Sequence, residues 1–490
     1  MAAISRRTVL IGSGIMGAGA VLAATLAKDG AVSLPSLRRP GDKDDSAAFR
    51  RAAASGKPIH APAGKGSGPG GRYIVGSDAQ DNLPSGLTLF GDGRGKTVVR
   101  IAHGAPFVLH ADSGSADPRR NITGLRFHDL DFESEVEARG FSEFEYLVML
   151  NGVTDVRFDR VGFVGFRGDG LHMGSSVVSK TERHNRDVTV ADCLFDGINA
   201  NNRNAISIID VERMTIERST FLDCTRVGDG TANAGDPFKP ATGLAMPGPI
   251  DIEPNADRFA IVRDVTIRAN RFKGGGGFAV ALHPLPNDFV ATPQRGIRVI
   301  DNIVEDRVGG IDMTGYVNDV VMQPGSAPYD VTISGNSVTR CKTPFRISGV
   351  RGLTMTRNRF VDCTDRAEFN NTAPVAAVTA SRNRFERIGS DAFPYGLWLR
   401  TLDGLTLTEN EFVDCGGPGR RDGAAIAIVA GTPRDLTLKG NRFSSPQGRM
   451  NQSLQLFRDA TVSRRQIALS GNVSTLKGPG FQAVLALARP

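Results

Sequence analysis

Apolar and polar positions alternate along most of this chain in short runs, the period of a half-buried strand, and many runs end the same way. In Asp264-Val265-Thr266-Ile267-Arg268-Ala269-Asn270-Arg271-Phe272-Lys273, Val265, Ile267 and Phe272 are the apolar members and Asn270 marks the turn. The frame returns at Leu353 to Phe360, Val378 to Phe385 and Leu405 to Phe412, with looser copies ending at Asn302, Asn336, Asn441 and Asn472. Earlier copies keep the aromatic and lose the amide, at Phe132, Phe163, Phe195 and Phe221. Successive copies lie roughly 22 to 34 residues apart, with one longer gap between Phe221 and Phe272. Such a period predicts the coils of a solenoid, because one unit is too short to bury its own apolar face and must stack on its neighbours. An asparagine fixed at each turn tolerates left-handed backbone, and its amide can bond the next coil, so a ladder is expected there. The phenylalanines are expected to stack in one inner column.

Between these strands runs a second set: Leu171-His172-Met173, Ile206-Ser207-Ile208, Ile250-Asp251-Ile252-Glu253, Ala279 to His283, Ile311 to Thr314, Phe345-Arg346-Ile347 and Leu397 to Arg400. Alternation sends the aliphatic members inward. Stacking in register then predicts an outer column of His172, Ser207, Asp251, Ala281, Asp312, Arg346 and Trp398, beside a second of Glu253, His283, Thr314, Ser348 and Arg400. Elsewhere the outward positions are Thr, Arg and Ser. Here acids, imidazoles, arginines and the single Trp share one face, which makes it the candidate site. Asp251 and Glu253 are two residues apart on one strand, an expected separation of about 6 to 7 Å, and Asp312 two coils on is about 10 Å away. Pro249 and Pro254 bracket the strand and stiffen its ends. The loop from Cys224 to Pro249 accounts for the longer gap, and a second loop carries Asn199, Asn201, Asn202, Arg203 and Asn204, an expected binding wall beside the face.

The net charge of +7 changes this picture little, since many of the arginines stand in the repeat turns, as at Arg357, Arg382 and Arg384. No aromatic-rich basic motif points to nucleic acid. The N-terminus does change it. Ser5-Arg6-Arg7-Thr8-Val9-Leu10 followed by a Gly/Ala-rich apolar run to about Ala27 has the build of a secretory signal and resembles the twin-arginine type. It implies a periplasmic or secreted protein with no membrane span after cleavage. The cysteines Cys193, Cys224, Cys341, Cys363 and Cys415 sit at repeat-equivalent positions, so buried stacked thiols are expected, with one disulfide possible between Cys341 and Cys363.

From Asp44 to Val75 the chain reads as a short helix capped by Asp45 or Ser46, then Pro58-Ile59-His60-Ala61-Pro62 and Arg72-Tyr73-Ile74-Val75. This stretch, with the repeats, resembles the N-terminal cap and coils of the pectin-lyase-like right-handed parallel β-helix superfamily. That superfamily includes polysaccharide lyases, polygalacturonase-like hydrolases, epimerases and tailspike depolymerases. The resemblance implies an all-β, right-handed parallel β-helix with an N-terminal cap: signal 1–27, linker and cap 28–85, coils 86–477 and a C-terminal tail or cap 478–490. It implies a polysaccharide partner and leaves the chemistry open.

Three functions fit the face. A secreted hydrolase of an acidic polysaccharide would divide acid and base roles among Asp251, Glu253 and Asp312, with His283 alongside. His172, Arg203, Asn204, Tyr316, Arg346, Trp398 and Arg400 would bind substrate, and no cofactor is needed. A lyase or epimerase on uronic acids would use His283 with Tyr316, or hold Ca²⁺ on Asp251, Glu253 and Asp312 with Arg203 or Arg346 as base. A non-catalytic glycan-binding β-helix is the third. The Asn-Thr-Asp, Asp-Asp, Gly-His-Gly and Arg-Ile-Lys elements of polygalacturonase-like hydrolases are not present as a set.

Overall fold

Alternating β-branched residues that cannot bury their face alone stack here into a right-handed parallel β-helix, seen in a computed structural model. The structure describes residues 30–174, 182–227, 247–254, 259–283, 294–314, 329–369, 375–400, 402–420, 422–431, 435–460 and 466–478. The signal-like segment, Tyr316, most of the Cys224 to Pro249 loop and nearly all of the C-terminal tail lie outside them. Among the described residues neighbouring strands pair parallel and in register, apart from local shifts between the last three strands of the site face. A typical coil supplies a long strand such as Val262–Arg268, a three-residue strand such as Arg271–Lys273, and a strand of the site face such as Phe278–Leu282. The first two kinds join into a 27-stranded sheet; the third forms a separate sheet of 12.

The core is one continuous column of aliphatic and aromatic side chains. Phe163, Phe195, Phe221 and Phe272 stack with centroids 4.5 to 4.8 Å apart, and Phe360, Phe385, Phe412 and Phe443 continue the row after Val304 and Val338 take the place. The asparagine ladder forms as expected. From Asn270 through Asn302, Asn336, Asn358, Asn383, Asn410 and Asn441, each backbone N–H donates to the Oδ1 of the next asparagine at 2.9 to 3.0 Å. Each Nδ2 also donates to a carbonyl of the preceding coil, as Asn358 does to Ile333 at 2.9 Å. Ser219 extends the ladder one coil back, accepting from Cys193 N–H at 3.1 Å and donating its own N–H to Asn270. The left-handed residue, however, is the one before each asparagine: Ala269, Asp301, Arg357, Arg382 and Glu409 have φ of 54° to 55°, and Gly335, Gly440 and Gly471 take the same place. The turn needs that conformation one position earlier so that the amide can point inward.

At the N-terminal end the helix Ser46–Ala54 covers the first coils, burying Ala48, Phe49 and Ala52. Asp45 occupies the cap position, yet its carboxylate does not cap the helix. It is buried and accepts from Arg38, the Ser67 hydroxyl and N–H, and Ile74 N–H, tying cap to first coil. All five cysteines are free and buried, Cys341 and Cys363 included. Among the described residues no helix is long and apolar enough to cross a membrane.

Candidate functional site

The register of the 12-stranded sheet aligns His172 with Ser207, Ser207 with Asp251, Asp251 with Ala281, Ala281 with Asp312 and Asp312 with Arg346. Glu368 then stands between Arg346 and Trp398, a rung absent from the expected column. Its strand is only Ala367–Phe369, with alanine where the neighbouring strands carry Phe345 and Leu397, so the run gave little apolar signal. The column faces away from the aliphatic core, but it is not a solvated row. Asp251 is 0% exposed, Asp312 3% and Glu368 7%.

Arg203 makes the difference. It leaves the loop before Ile206–Ile208 and lies across the face, 3.1 and 3.2 Å from the two oxygens of Asp169, 3.2 Å from Ser207 Oγ and 3.8 Å from Glu253. Glu143 approaches it from another side at 4.0 Å. Four carboxyls, those of Glu143, Asp169, Asp251 and Glu253, thus surround one buried guanidinium. They cannot all ionise without leaving uncompensated charge in a poorly solvated place. Burial works to raise Asp169, but Arg203 and His172 override it and hold this carboxyl below the ordinary range. Asp251 and Glu253 carry the excess. Burial pushes Asp251 to about 7, and burial together with the charge of Asp251 pushes Glu253 to about 7.

Asp251 and Glu253 lie close enough for each to shift the other's proton affinity. The strand ends at Ile252, so Glu253 is freed from strict alternation. Asn204 donates to the far oxygen of Asp251 at 2.9 Å and to Ser207 Oγ at 3.0 Å. His283 Nε2 lies 3.5 Å from Asp251 Oδ1, with Nδ1 3.2 Å from the Thr314 carbonyl oxygen. Both carboxyls are thus held toward the protonated form, and Glu253, whose side chain keeps 20% of its exposure, is the member that reaches outward.

Of the expected site residues the structure brings Asp251, Glu253, His283, Arg203, Asn204 and His172 into one network. Asn202 and Asn204 are both buried, Asn204 tied to Ser207 and Asp251 and Asn202 accepting from Thr225 N–H, so neither lines a sugar-facing wall. Asp312 is apart, bound to Arg346 at 2.5 Å and Thr314 at 2.8 Å, so it does not join Asp251 and Glu253 in a calcium-type set. Among the described residues no three His, Cys, Asp or Glu are arranged to hold a metal ion. Arg346 also stacks on Phe278 at 4.6 Å. Further along, Arg366 lies between Phe393 at 4.5 Å and Trp398 at 4.8 Å, with Tyr395 and Phe457 against Trp398. Arg400 follows Trp398 at the end of its strand, close enough for its charge to act on Glu368. Asp169, Glu143, Tyr146 and Arg366 were not expected; each comes from a coil corner or a strand start, where no periodic pattern marks a residue.

A family described as right handed beta helix region matches residues 290–467. No curated protein matches the chain. Among solved structures, a tailspike protein mutant of E. coli bacteriophage HK620 in complex with a pentasaccharide is 14% identical, covers 95% of this chain and 81% of its own, and superposes with a TM-score of 0.57. The N-terminal fragment of the bacteriophage phi29 gene product 12 is 13% identical over 94% of this chain and 75% of its own, TM-score 0.56. The mannuronan C-5 epimerase AlgE4 A-module of Azotobacter vinelandii is 14% identical over 88% and 99%, TM-score 0.45. At these identities the likeness is one of fold: the chain is a right-handed parallel β-helix.

Proposed function

We propose that this chain is an exported polysaccharide hydrolase in which Glu253 is the proton donor and Asp251 the buried carboxyl that keeps it protonated. One observation carries the reading: two neighbouring buried carboxyls, both raised to about 7, at the edge of an arginine-bridged network on an outward sheet. A general acid works best with a pKa near the operating pH, and burial beside a like charge is how a carboxyl gets there. Asp251, without exposed surface, acts through Glu253 and does not touch substrate. Arg203 limits the charge of the cluster, and Asn204 and His283 fix Asp251. Arg346, Arg366 and Trp398 offer cations and aromatic surface further along the face, which suits an acidic glycan. The likeness to a tailspike crystallised with a pentasaccharide supports a glycan partner. Export through residues 1–27, which resemble a twin-arginine signal, belongs to the same proposal.

The test is turnover on a panel of acidic and neutral polysaccharides, wild type beside Glu253→Gln, reading reducing ends and the ultraviolet absorbance of unsaturated uronates. New reducing ends without absorbance, reduced about 10² to 10⁴-fold by the substitution, are the expected result. Absorbance would make the protein a lyase. Binding without cleavage would make it a glycan-binding β-helix.

A further inference from the structure

Asp251 has no exposed surface and cannot hold an attacking water against a sugar, so hydrolysis on this face needs its base elsewhere. Inverting enzymes place acid and base roughly 6.5 to 9.5 Å apart, with the water on the far side of the sugar from the acid. His283 lies against Asp251, on the acid's own side. Asp312 is two rungs away in one direction, but it is almost wholly buried and held by Arg346 and Thr314. Two rungs away in the other direction stands His172, roughly 10 Å from Asp251 at strand spacing.

We propose that His172 is the base of this reaction and Asp169 its positioning residue, an assignment that rests on the hydrolase reading above. His172 Nδ1 is 2.8 Å from Asp169 Oδ2. Asp169 is fully buried and fixed by Arg203, so it accepts the Nδ1 proton and leaves the lone pair on Nε2. Tyr146 stacks on the imidazole with centroids 4.7 Å apart and planes 20° from parallel, which fixes the ring's tilt. Gly174 lies beside Nε2: a Cβ there would sit 3.3 Å from that nitrogen and 2.5 Å from Asn151 Oδ1, so a larger residue would crowd the imidazole. Arg203 spans the two halves, touching Asp169 at one end and Glu253 at the other.

In the step so assembled, Nε2 takes a proton from water as the water oxygen bonds to the anomeric carbon. The bond from that carbon to the leaving oxygen breaks, its electron pair stays on the oxygen, and Glu253 supplies the proton. One water is consumed, and solvent returns the proton from His172 to Glu253.

The experiment compares wild type, Glu253→Gln, His172→Gln, Asp169→Asn and the His172→Gln/Asp169→Asn double variant on polygalacturonate, alginate, hyaluronate and bacterial capsular polysaccharides, with and without azide. His172→Gln is expected to lower kcat about 100-fold or more with KM nearly unchanged. Azide, which needs no base, should restore turnover and leave a glycosyl azide of inverted anomeric configuration, a product that a merely structural role cannot give. Asp169→Asn should lower kcat about tenfold or more, and the double variant should be no slower than His172→Gln alone, because the two residues act as one unit. If Glu253→Gln is inactive while His172→Gln keeps a third or more of its turnover, or if azide gives no adduct, the base assignment is overturned and the hydrolase reading stands. Full activity of Glu253→Gln, or no cleavage by wild type across the panel, overturns both.

Discussion

The asparagine ladder and the acid column run parallel to the same axis at the same rung spacing, yet one repeats itself and the other does not. From Asn270 to Asn441 every rung donates forward to the next asparagine and back to a carbonyl of the preceding coil. From His172 to Trp398 no two neighbouring rungs carry the same residue. A repeated rung spreads stability over nearest neighbours, and its pattern is set by the coil geometry. A column in which buried carboxyls are packed against a single guanidinium works against stability, since each ionised group resists burial. Sequence variation where the backbone allows repetition is therefore the sign of a site, and the two columns should respond differently to substitution.

The largest loss of stability is expected on the repeating side. Phe385 is sandwiched between Phe360 at 5.3 Å and Phe412 at 4.8 Å. Phe385→Ala should cost about 3 to 5 kcal/mol in denaturant unfolding, the range for emptying a buried aromatic site. Asn358→Ala should follow at about 2 to 4 kcal/mol. It removes the acceptor for Asn336 N–H and the donor to the Ile333 carbonyl, both in the buried ladder. Neither residue touches the acid column, so whatever activity remains folded should keep its pH profile; a changed profile would show that ladder and site are not separable.

The repeating side was legible in the sequence and the other only partly so, for one physical reason. Periodicity reports what recurs, so the coils, the phenylalanine row and the ladder register could be read from Asn270 and its copies. Strand alternation also placed His172, Asp251, Asp312, Arg346 and Trp398 in one column. It could not report contacts made by residues outside the strands. Arg203, Asp169 and Tyr146 reach the face from corners, and Arg203 turns what alternation reads as an exposed row into a buried network. Alternation also gives out one residue past a strand end, at Glu253.

A smaller effect separates the columns by pH. The carboxyls of Asp251 and Glu253 are raised in the folded protein, so between about pH 4 and pH 7 the native state holds protons that the unfolded chain has released. Stability from this source therefore falls as pH rises through that window and is level above it. The loss is on the order of 4 kcal/mol for an isolated group with the shift of Asp251, and less for one coupled to a second titrating group. Asp251→Asn keeps an acceptor for Asn204 and should flatten the slope, raising stability at pH 8 relative to wild type with little change near pH 4. It also removes a charge that raises Glu253, so the alkaline limit of hydrolysis should move to lower pH. A stability slope equal to that of wild type would show that Asp251 is not the proton holder.

The smallest effect tests whether the turn row carries any stability of its own. Arg382 holds the left-handed position before Asn383 with φ of 55°, and its guanidinium pairs with Glu409 at 2.8 Å, both side chains more than half exposed. An arginine in that conformation is strained by roughly 1 kcal/mol relative to glycine, which adopts it freely and does so in the equivalent place at Gly335 and Gly440. An exposed ion pair returns about 0.2 to 1 kcal/mol and is screened by salt. Glycine also widens the unfolded ensemble, which takes back part of the relief. These terms are similar in size and opposite in sign, so Arg382→Gly should move the unfolding free energy by less than about 1 kcal/mol, slightly more favourably at high salt, where the ion pair is already lost. A larger loss would mean that the arginines of the turn row are part of the ladder's support, and the contrast between a self-sufficient repeat and a strained site would have to be redrawn around them.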